Sequence, residues 1–184
     1  MVDEKKAPKQ FTPQLVMFRD SLEALPKITL KDGYTIRSFQ NGDEKHWERI
    51  IQQSFGKEIS FQRTMKEDEA FCPERIKFVC YQDQPVATAS AWYRQKWGPN
   101  TGYLHMVGCD KQQTGIKLGY WVSLAALYQF QYEGRINAIL ETDDFRLPAI
   151  KTYLNLKFEP HIIHDNQHDR WTQIVNKLNT PPTK

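Results

Sequence analysis

The stretch from Tyr103 to Gly119 restricts what this chain can fold into more than any other. Its apolar start at 103–107 predicts a short strand, a polar turn follows at 110–114, and Gly115 lies just before a helical pattern. A strand, a glycine-containing turn and a helix point several free backbone N–H groups at one spot. An anion placed there is held by those donors and by the helix dipole. The sequence therefore predicts an anion-binding turn at the head of this helix.

The remaining patterns predict a mixed α/β fold around that turn. The helix at 116–132 is apolar over more than half of its circumference, which indicates a helix buried against a sheet. Hairpins give antiparallel strand pairs, and two β-α-β crossovers give parallel ones. In chain order we predict a short leading helix or turn at 14–25, a strand at 34–39, helices at 43–55 and 62–71, strands at 76–81, 85–93 and 103–109, the helix at 116–132, a strand at 136–141, a helix at 148–156, and strands at 158–163 and 171–175.

Length and composition predict one globular domain. The chain has 184 residues, of which 40% are hydrophobic and 26% charged, so it can bury one sizeable core. We expect a single domain over 13–178, with a mobile tail at 1–12 and a loose tail at 179–184. The net charge is +3 and the basic residues are scattered among acids, so no nucleic-acid partner is expected.

Other classes of protein lack support in the sequence. No apolar run approaches the length of a membrane span, and residues 1–10 contain no apolar signal core, so we expect a cytoplasmic protein without a membrane contact. Three cysteines without a CxxC spacing indicate reduced thiols. His164 and His168 are four residues apart but flank a turn, so we expect no metal site.

Two local motifs resemble those of a known superfamily. The turn reads Gln112-Gln-Thr-Gly115-Ile-Lys117, and the later helix reads Arg146-Leu-Pro-Ala-Ile-Lys-Thr-Tyr153-Leu-Asn-Leu-Lys-Phe. Their order, their separation and the order of elements resemble the GNAT superfamily of acyl-CoA-dependent N-acetyltransferases. The resemblance extends over about 34–175, which is most of the predicted domain.

The first motif resembles the phosphate loop of that superfamily, Gln/Arg-x-x-Gly-x-Gly/Ala. Gln112 and Gly115 match, and Lys117 replaces the small residue. We expect Lys117 in the first turn of the helix with a negative φ, so the backbone there would not require glycine. A lysine stem can also turn outward, and its ammonium can pair with a phosphate.

The second motif resembles N-x-x-A-x-x-L-Y-x-x-x-G-F near the C-terminus of the superfamily. Lys157 replaces the glycine that ends the helix, which should cost about 1 kcal/mol if the lysine adopts a left-handed turn. Three residues match, Ala149, Tyr153 and Phe158, while Arg146 replaces the asparagine and Thr152 the leucine.

The resemblance implies a site for acetyl-CoA. The fourth and fifth predicted strands should splay apart, with the pantetheine arm in the gap and paired with the backbone of the fourth. The N–H group near Val107 would then polarise the thioester carbonyl. The residues implied in coenzyme binding are Val107 and Cys109, the turn residues Gln112, Gln113, Thr114, Gly115, Ile116 and Lys117, and Arg146.

The resemblance also implies catalytic roles. Tyr153 would be the general acid for the leaving thiolate, because a phenol pKa of ~10 is close to that of a thiol at ~8.5; the alternative is an aromatic residue that only packs. For the base we propose His105, which could equally be a buried core histidine. The carboxylate alternatives are Glu141 and Asp143 or Asp144, although the last two could belong to a solvated loop or cap a helix.

The predicted function is transfer of an acetyl group from acetyl-CoA to a primary amine by direct attack. The acceptor would be a small molecule or a peptide, met by segments 56–71 and 161–168. The aromatic residues at 92, 93, 97 and 103 could line its pocket, pack a sheet face or form a homodimer contact. The alternative is a GNAT-fold sensor or interaction module without turnover, which the lysines at 117 and 157 favour.

Overall fold

A computed structural model describes residues 12–113 and 115–180 of the chain. Thr114, one of the predicted coenzyme-binding residues, lies outside the described residues. The same holds for most of the two predicted tails, because residues 1–11 and 181–184 are not described.

The described chain forms a seven-stranded mixed sheet with helices on both faces, which confirms the predicted α/β class. The sheet order is β2-β3-β4-β5-β6-β1-β7, with β5 and β6 parallel and the other neighbouring pairs antiparallel. The strands are β1 (Leu15–Arg19), β2 (Tyr34–Ser38), β3 (Ile76–Tyr81), β4 (Gln84–Trp92), β5 (Thr101–Cys109), β6 (Asn137–Thr142) and β7 (Glu159–His161), and the α-helices are α1 (Glu44–Phe55), α2 (Leu118–Tyr132), α3 (Leu147–Asn155) and α4 (Gln167–Asn179).

The predicted leading helix at 14–25 is wrong, because its first part is strand β1. Leu15, Val16 and Met17 are fully buried, and β1 lies between β6 and β7. A strand buried on both faces has a continuous apolar run in place of alternation, and periodicity cannot separate such a run from a helix. The apolar residues at 22 and 25 extended the pattern by chance.

The predicted strand at 171–175 is also wrong, because it lies inside helix α4. Trp171 and Ile174 are 5% and 2% exposed and face the core, whereas Val175 is 45% exposed. The i, i+3 spacing of the buried pair is helical, and it outweighs the strand preference of a short β-branched run.

The helix predicted at 62–71 is reduced to a π-helical turn, Gln62–Lys66.

The two faces of the sheet carry different helices. Trp47, Ile50 and Ile51 of α1 are fully buried on one face, where they pack with the π-helical turn. Helix α2 is buried on the other face, as predicted, together with α3 and α4. Helix α2 approaches β5 closely at Gly102, where a Cβ atom would lie 2.4 Å from the ring of Phe130.

Strands β5 and β6 separate after a short parallel pairing, as the resemblance implied. They pair at Thr101, Gly102 and Tyr103 of β5, although both strands continue further. Ser90 of β4 pairs with His105 and Thr88 with Gly108, so β5 has one more residue than β4 between these two pairs. This β-bulge includes Met106, whose φ is 50°. It bends β5 where the gap opens.

Two lysines adopt left-handed backbone conformations. Lys117 has a φ of 56° and precedes α2, so the expected negative φ was wrong. Lys157 has a φ of 64°, which is the left-handed turn considered above. Its N–H donates to the Leu154 carbonyl at 2.9 Å, and the Phe158 N–H donates to the Tyr153 carbonyl at 3.0 Å. These two bonds form a Schellman motif at the end of α3.

Because glycine adopts this turn without strain, Lys157→Gly should raise the free energy of unfolding by about 1 kcal/mol. For a domain of this size the melting temperature should rise by about 2–4 °C. The matched control is Lys151→Gly in the exposed middle of α3, which should lower stability by about 1 kcal/mol. Equal stability of Lys157→Gly and the parent in thermal and urea unfolding would contradict the strain.

Candidate active site

Two adjoining cavities meet in the gap between β5 and β6. The larger one, of ≈ 380 Å³, lies between the end of β5, the start of α2 and α3, and we call it the α3 cleft. The smaller one, of ≈ 180 Å³, lies on the α1 side and is here called the α1 pocket. Val107, Arg146 and Tyr153 line both cavities. We refer to these three residues as the junction.

Side chains already occupy part of the β5 edge that faces the gap. Asp110 donates its N–H to the Val86 carbonyl at 2.7 Å, so the adjacent Cys109 directs its backbone groups away from β4. The Ser54 hydroxyl accepts the Cys109 N–H at 2.9 Å and donates to its carbonyl at 3.1 Å. The Val107 carbonyl accepts from Arg146 Nη2 at 3.3 Å. The backbone of Val107 and Cys109 thus faces the gap but is partly covered.

Ser54 reaches β5 because α1 packs directly on Gly108. A Cβ atom at Gly108 would lie 3.0 Å from both Ile51 Cδ1 and Ser54 Oγ. Sequence reasoning missed Ser54, for which no motif exists. A detectable signal was its spacing of i+4 and i+3 from Ile50 and Ile51, which places a small hydroxyl on the buried face of α1.

Tyr153 presents a protonated phenol at the junction. It is 5% exposed, and its ring packs edge-on against Phe158 at 6.1 Å. Burial raises the pKa of Tyr153 to about 12, the nearby Arg146 acts in the opposite direction, and Cys109 adds to the rise. No group of the described chain hydrogen-bonds its hydroxyl. The phenol can therefore give a proton to a group in either cavity.

Arg146 places a positive charge beside that phenol. Its guanidinium carbon lies 4.1 Å from the centre of the Phe55 ring, and its bond to the Val107 carbonyl uses one of five N–H donors. Within residues 12–113 and 115–180, no carboxylate forms an ion pair with it. The junction therefore carries a cation whose remaining donors are available to an anion.

A polar cluster lines the α1 pocket. The Glu141 carboxylate accepts from the Tyr103 hydroxyl and from Lys96 Nζ, both at 2.8 Å. Burial, and next the charge of Glu141, raise the pKa of Tyr103. His105 stacks on the Tyr103 ring at 5.2 Å, and Trp92 lies beside it at 6.2 Å. This places the proposed base and one carboxylate alternative in the same pocket.

The His105 imidazole is neutral at neutral pH. Burial lowers its pKa to about 4, Arg94 lowers it further, and Asp68 and Glu141 oppose the shift. Asp68 itself binds Arg94 Nη1 at 2.7 Å and Trp92 Nε1 at 3.1 Å. Burial, supported by Arg94, thus outweighs the two carboxylates and disfavours the charged imidazole.

The other two predicted carboxylates line neither cavity. Asp143 accepts from Gln14 Nε2 at 3.1 Å, and Asp144 pairs with Arg170, whose Nη1 also donates to the Pro13 carbonyl. They tie the start of the described chain to α4. From the predicted acceptor segments, Lys57 and Ile59 line the α1 pocket, and no residue of 161–168 lines it or the α3 cleft.

The predicted phosphate turn borders a third cavity of ≈ 740 Å³, which adjoins the α3 cleft at Pro148 and Thr152. Gly115 and Lys117 line it, and Gln112, Gln113 and Ile116 do not. The turn is organised by a residue that sequence reasoning did not assign, Asp110. Its carboxylate accepts the Gln112 N–H at 3.0 Å and binds Arg49 Nη1 at 2.6 Å, and its carbonyl accepts the Gln113 N–H.

Metal and membrane features are missing from the described chain. Its His, Cys, Asp and Glu side chains form no group that could hold a metal ion. Among the described helices, none is long and apolar enough to span a membrane.

The low pKa of His105 predicts a specific acid sensitivity. The unfolded chain binds a proton at this imidazole below about pH 6.5, whereas the folded chain binds it only near pH 4, so stability falls as pH falls through that window. His105→Phe should reduce this loss, and the exposed control His168→Gln should not. The measurement is urea unfolding at pH 7.0, 5.5 and 4.5. An equal loss in His105→Phe and the parent would contradict the low pKa.

Comparisons with known proteins support the resemblance at low sequence identity. No protein-family model matches the chain. Mycothiol acetyltransferase of Thermomonospora curvata is 26% identical over 147 residues, which is 76% of this chain and 48% of that protein. The chain thus spans about half the length of this curated relative.

Solved structures share the fold. A GCN5-related N-acetyltransferase from Sphaerobacter thermophilus superposes with a TM-score of 0.60 at 17% identity, over 82% of this chain and 50% of that one. The ribosomal-protein-S18-alanine N-acetyltransferase from Escherichia coli gives 0.58 at 18% identity, over 70% and 79%. The chain therefore has the fold of the GCN5-related N-acetyltransferases, the GNAT superfamily, and a distant relative among the acetyltransferases.

Proposed function

We propose that this chain is an N-acetyltransferase that moves the acetyl group of acetyl-CoA to a primary amine by direct attack. The observation that carries the proposal is the junction, where a protonated phenol without a hydrogen-bond partner in the described chain separates two cavities. The α3 cleft leads to the glycine turn, and the α1 pocket contains the polar cluster. A donor and an acceptor can thus approach the same point from two sides.

Acetyl-CoA would lie in the α3 cleft and the adjoining third cavity. Its pyrophosphate would meet the N–H groups at Gly115, Ile116 and Lys117, whereas Asp110 already accepts those of Gln112 and Gln113. Lys117 and Lys151 line the third cavity and complement the charge of the phosphates. The pantetheine arm would follow β5 past Cys109 and Val107. To pair with the Cys109 backbone it must displace the Ser54 hydroxyl.

In the proposed reaction the amine nitrogen attacks the thioester carbon, a C–N bond forms and the C–S bond breaks. The sulfur leaves with the bonding electron pair and takes the proton of Tyr153, whose phenol is suited to this role because it is protonated at neutral pH. His105 would accept the proton of the amine. Its imidazole forms no hydrogen bond with a described side chain, whereas Glu141 accepts two.

The acceptor would be a small amine or a peptide that enters the α1 pocket past Lys57 and Ile59. We place the reaction in the cytoplasm, because the three cysteines are free thiols, as a reducing compartment requires. The alternative remains a coenzyme-binding sensor without turnover.

Tyr153→Phe separates an enzyme from a sensor. Loss of the general acid should lower kcat by about 10²–10⁴ while the rise in melting temperature with acetyl-CoA stays intact. Thiol release is measured against a panel of small amines and peptides with a free N-terminus or lysine. The control Tyr132→Phe, at a tyrosine that is 87% exposed, should behave as the parent. A parent that binds acetyl-CoA but releases thiol with no amine would favour the sensor, and the absence of any shift at millimolar acetyl-CoA would exclude both readings.

Ser54→Ala tests where the pantetheine arm lies. Without the hydroxyl, the Cys109 N–H and carbonyl lose their partner in the unliganded protein, which should cost about 1–2 kcal/mol of stability. If the arm replaces that hydroxyl, the complex loses nothing, so acetyl-CoA should bind about tenfold more tightly.

Calorimetric titration with acetyl-CoA measures this change in affinity. The control is Thr172→Ala, which removes a helix hydroxyl that donates to the His168 carbonyl far from the cavities. It should leave the affinity unchanged. Equal affinity of Ser54→Ala and the parent would mean that Ser54 keeps its place on β5 in the complex.

A further inference from the structure

Arg146 is held at the point where the proposed reaction develops negative charge. It precedes α3, its guanidinium rests on the Phe55 ring of α1, and one nitrogen donates to the Val107 carbonyl of β5. Three separate elements therefore fix the position of this cation. It lines both cavities, as Tyr153 does, and no carboxylate of the described chain neutralises it.

The proposed reaction places two anions at the junction in succession. Attack of the amine moves an electron pair onto the carbonyl oxygen of the thioester. When that oxygen reforms its double bond, the C–S bond breaks and the sulfur leaves with the electron pair. A fixed cation stabilises charge that develops beside it, and in a site sheltered from water it does so without reorganising.

We propose that Arg146 is a catalytic residue that stabilises the thiolate leaving acetyl-CoA before Tyr153 protonates it. The inference rests on the proposed function and gives Arg146, which the resemblance implied only in coenzyme binding, a role in the chemical step. A guanidinium supplies positive charge beside the sulfur, and Tyr153 supplies the proton. The cation also opposes the rise that burial causes in the pKa of Tyr153. It thereby brings the pKa of the phenol closer to that of the thiol.

The thiol of the coenzyme is to be titrated between pH 6 and pH 9.5, so the ionisable groups near Arg146 have to be considered. Burial raises the pKa of Cys109 to about 11 and of Tyr153 to about 12, and it lowers that of His105 to about 4, so these groups titrate outside the window. The other ionisable residues that line the two cavities are Tyr103, Glu141 and Lys57.

The test compares binding of CoA with binding of desulfo-CoA, in which hydrogen replaces the thiol, and it requires no acceptor. Groups of the protein that titrate affect both ligands, so the ratio of the two affinities reports the charge on sulfur. In the parent, CoA should bind more tightly as pH rises through a thiol pKa below its usual ~8.5. In Arg146→Gln the ratio at pH 9.5 should fall about ninefold if Arg146 lowers the thiol pKa by one unit from ~8.5. Arg146→Lys, which keeps the positive charge, should keep most of the ratio that the parent shows.

The other outcomes show whether this inference or the proposed function is wrong. An equal ratio in the parent and in Arg146→Gln, with both ligands bound, would overturn this inference and leave the proposed function standing. No binding of either ligand to the parent would overturn the proposed function itself. A raised KM for the amine without a change in the ratio would assign Arg146 to a carboxylate of the acceptor, against the inference. Circular dichroism and the melting temperature establish that each variant is folded, and Arg146→Met, which also removes the charge, carries the test if Arg146→Gln does not fold.

Discussion

The short pairing of β5 with β6 is the constraint on which the candidate site depends. Two parallel strands of this length could form a continuous ladder, but the bulge at Met106 bends β5 away after Tyr103. The interior of a sheet normally leaves no backbone N–H or C=O group unpaired. The backbone groups along this gap must therefore bond to something other than a strand. The cavities and the exposed edge of β5 follow from that one departure from regular pairing.

The protein satisfies the open edge with side chains from two different helices. Ser54 bonds both backbone groups of Cys109, and Arg146 bonds the carbonyl of Val107. These bonds make the unliganded sheet stable, and they also compete with any extended ligand that would add to β5. A residue such as Ser54 can therefore set affinity without touching the reacting atoms. The proposed contribution of Arg146 differs, since its remaining donors face the junction.

The sequence predicted the elements whose signals are local. Helix α1 has a periodic apolar face and a glycine stop, and α2 is apolar enough to require burial, so both were placed correctly. The motif around Tyr153 located the junction. Strand β1 was not predictable, because a run such as Leu-Val-Met-Phe fits a helix or a buried strand equally well until its neighbours are known. Helix α4 has a local signal in the i, i+3 spacing of Trp171 and Ile174, but the strand preference of 171–175 concealed it. The contacts of Ser54 and of Asp110 with Arg49 are long-range and leave no local pattern.

The place of β1 in the sheet bears on how the chain folds. Val16 pairs with Glu141 on one side and with His161 on the other, and Gln167 of α4 bonds the Gln14 carbonyl. Each of these contacts closes a loop of more than a hundred residues, which raises the contact order and slows folding. On a ribosome, the apolar segment of β1 would leave the exit tunnel long before its partner strands. Until those strands are made it would remain an unpaired apolar segment, able to pair with the edge of another chain.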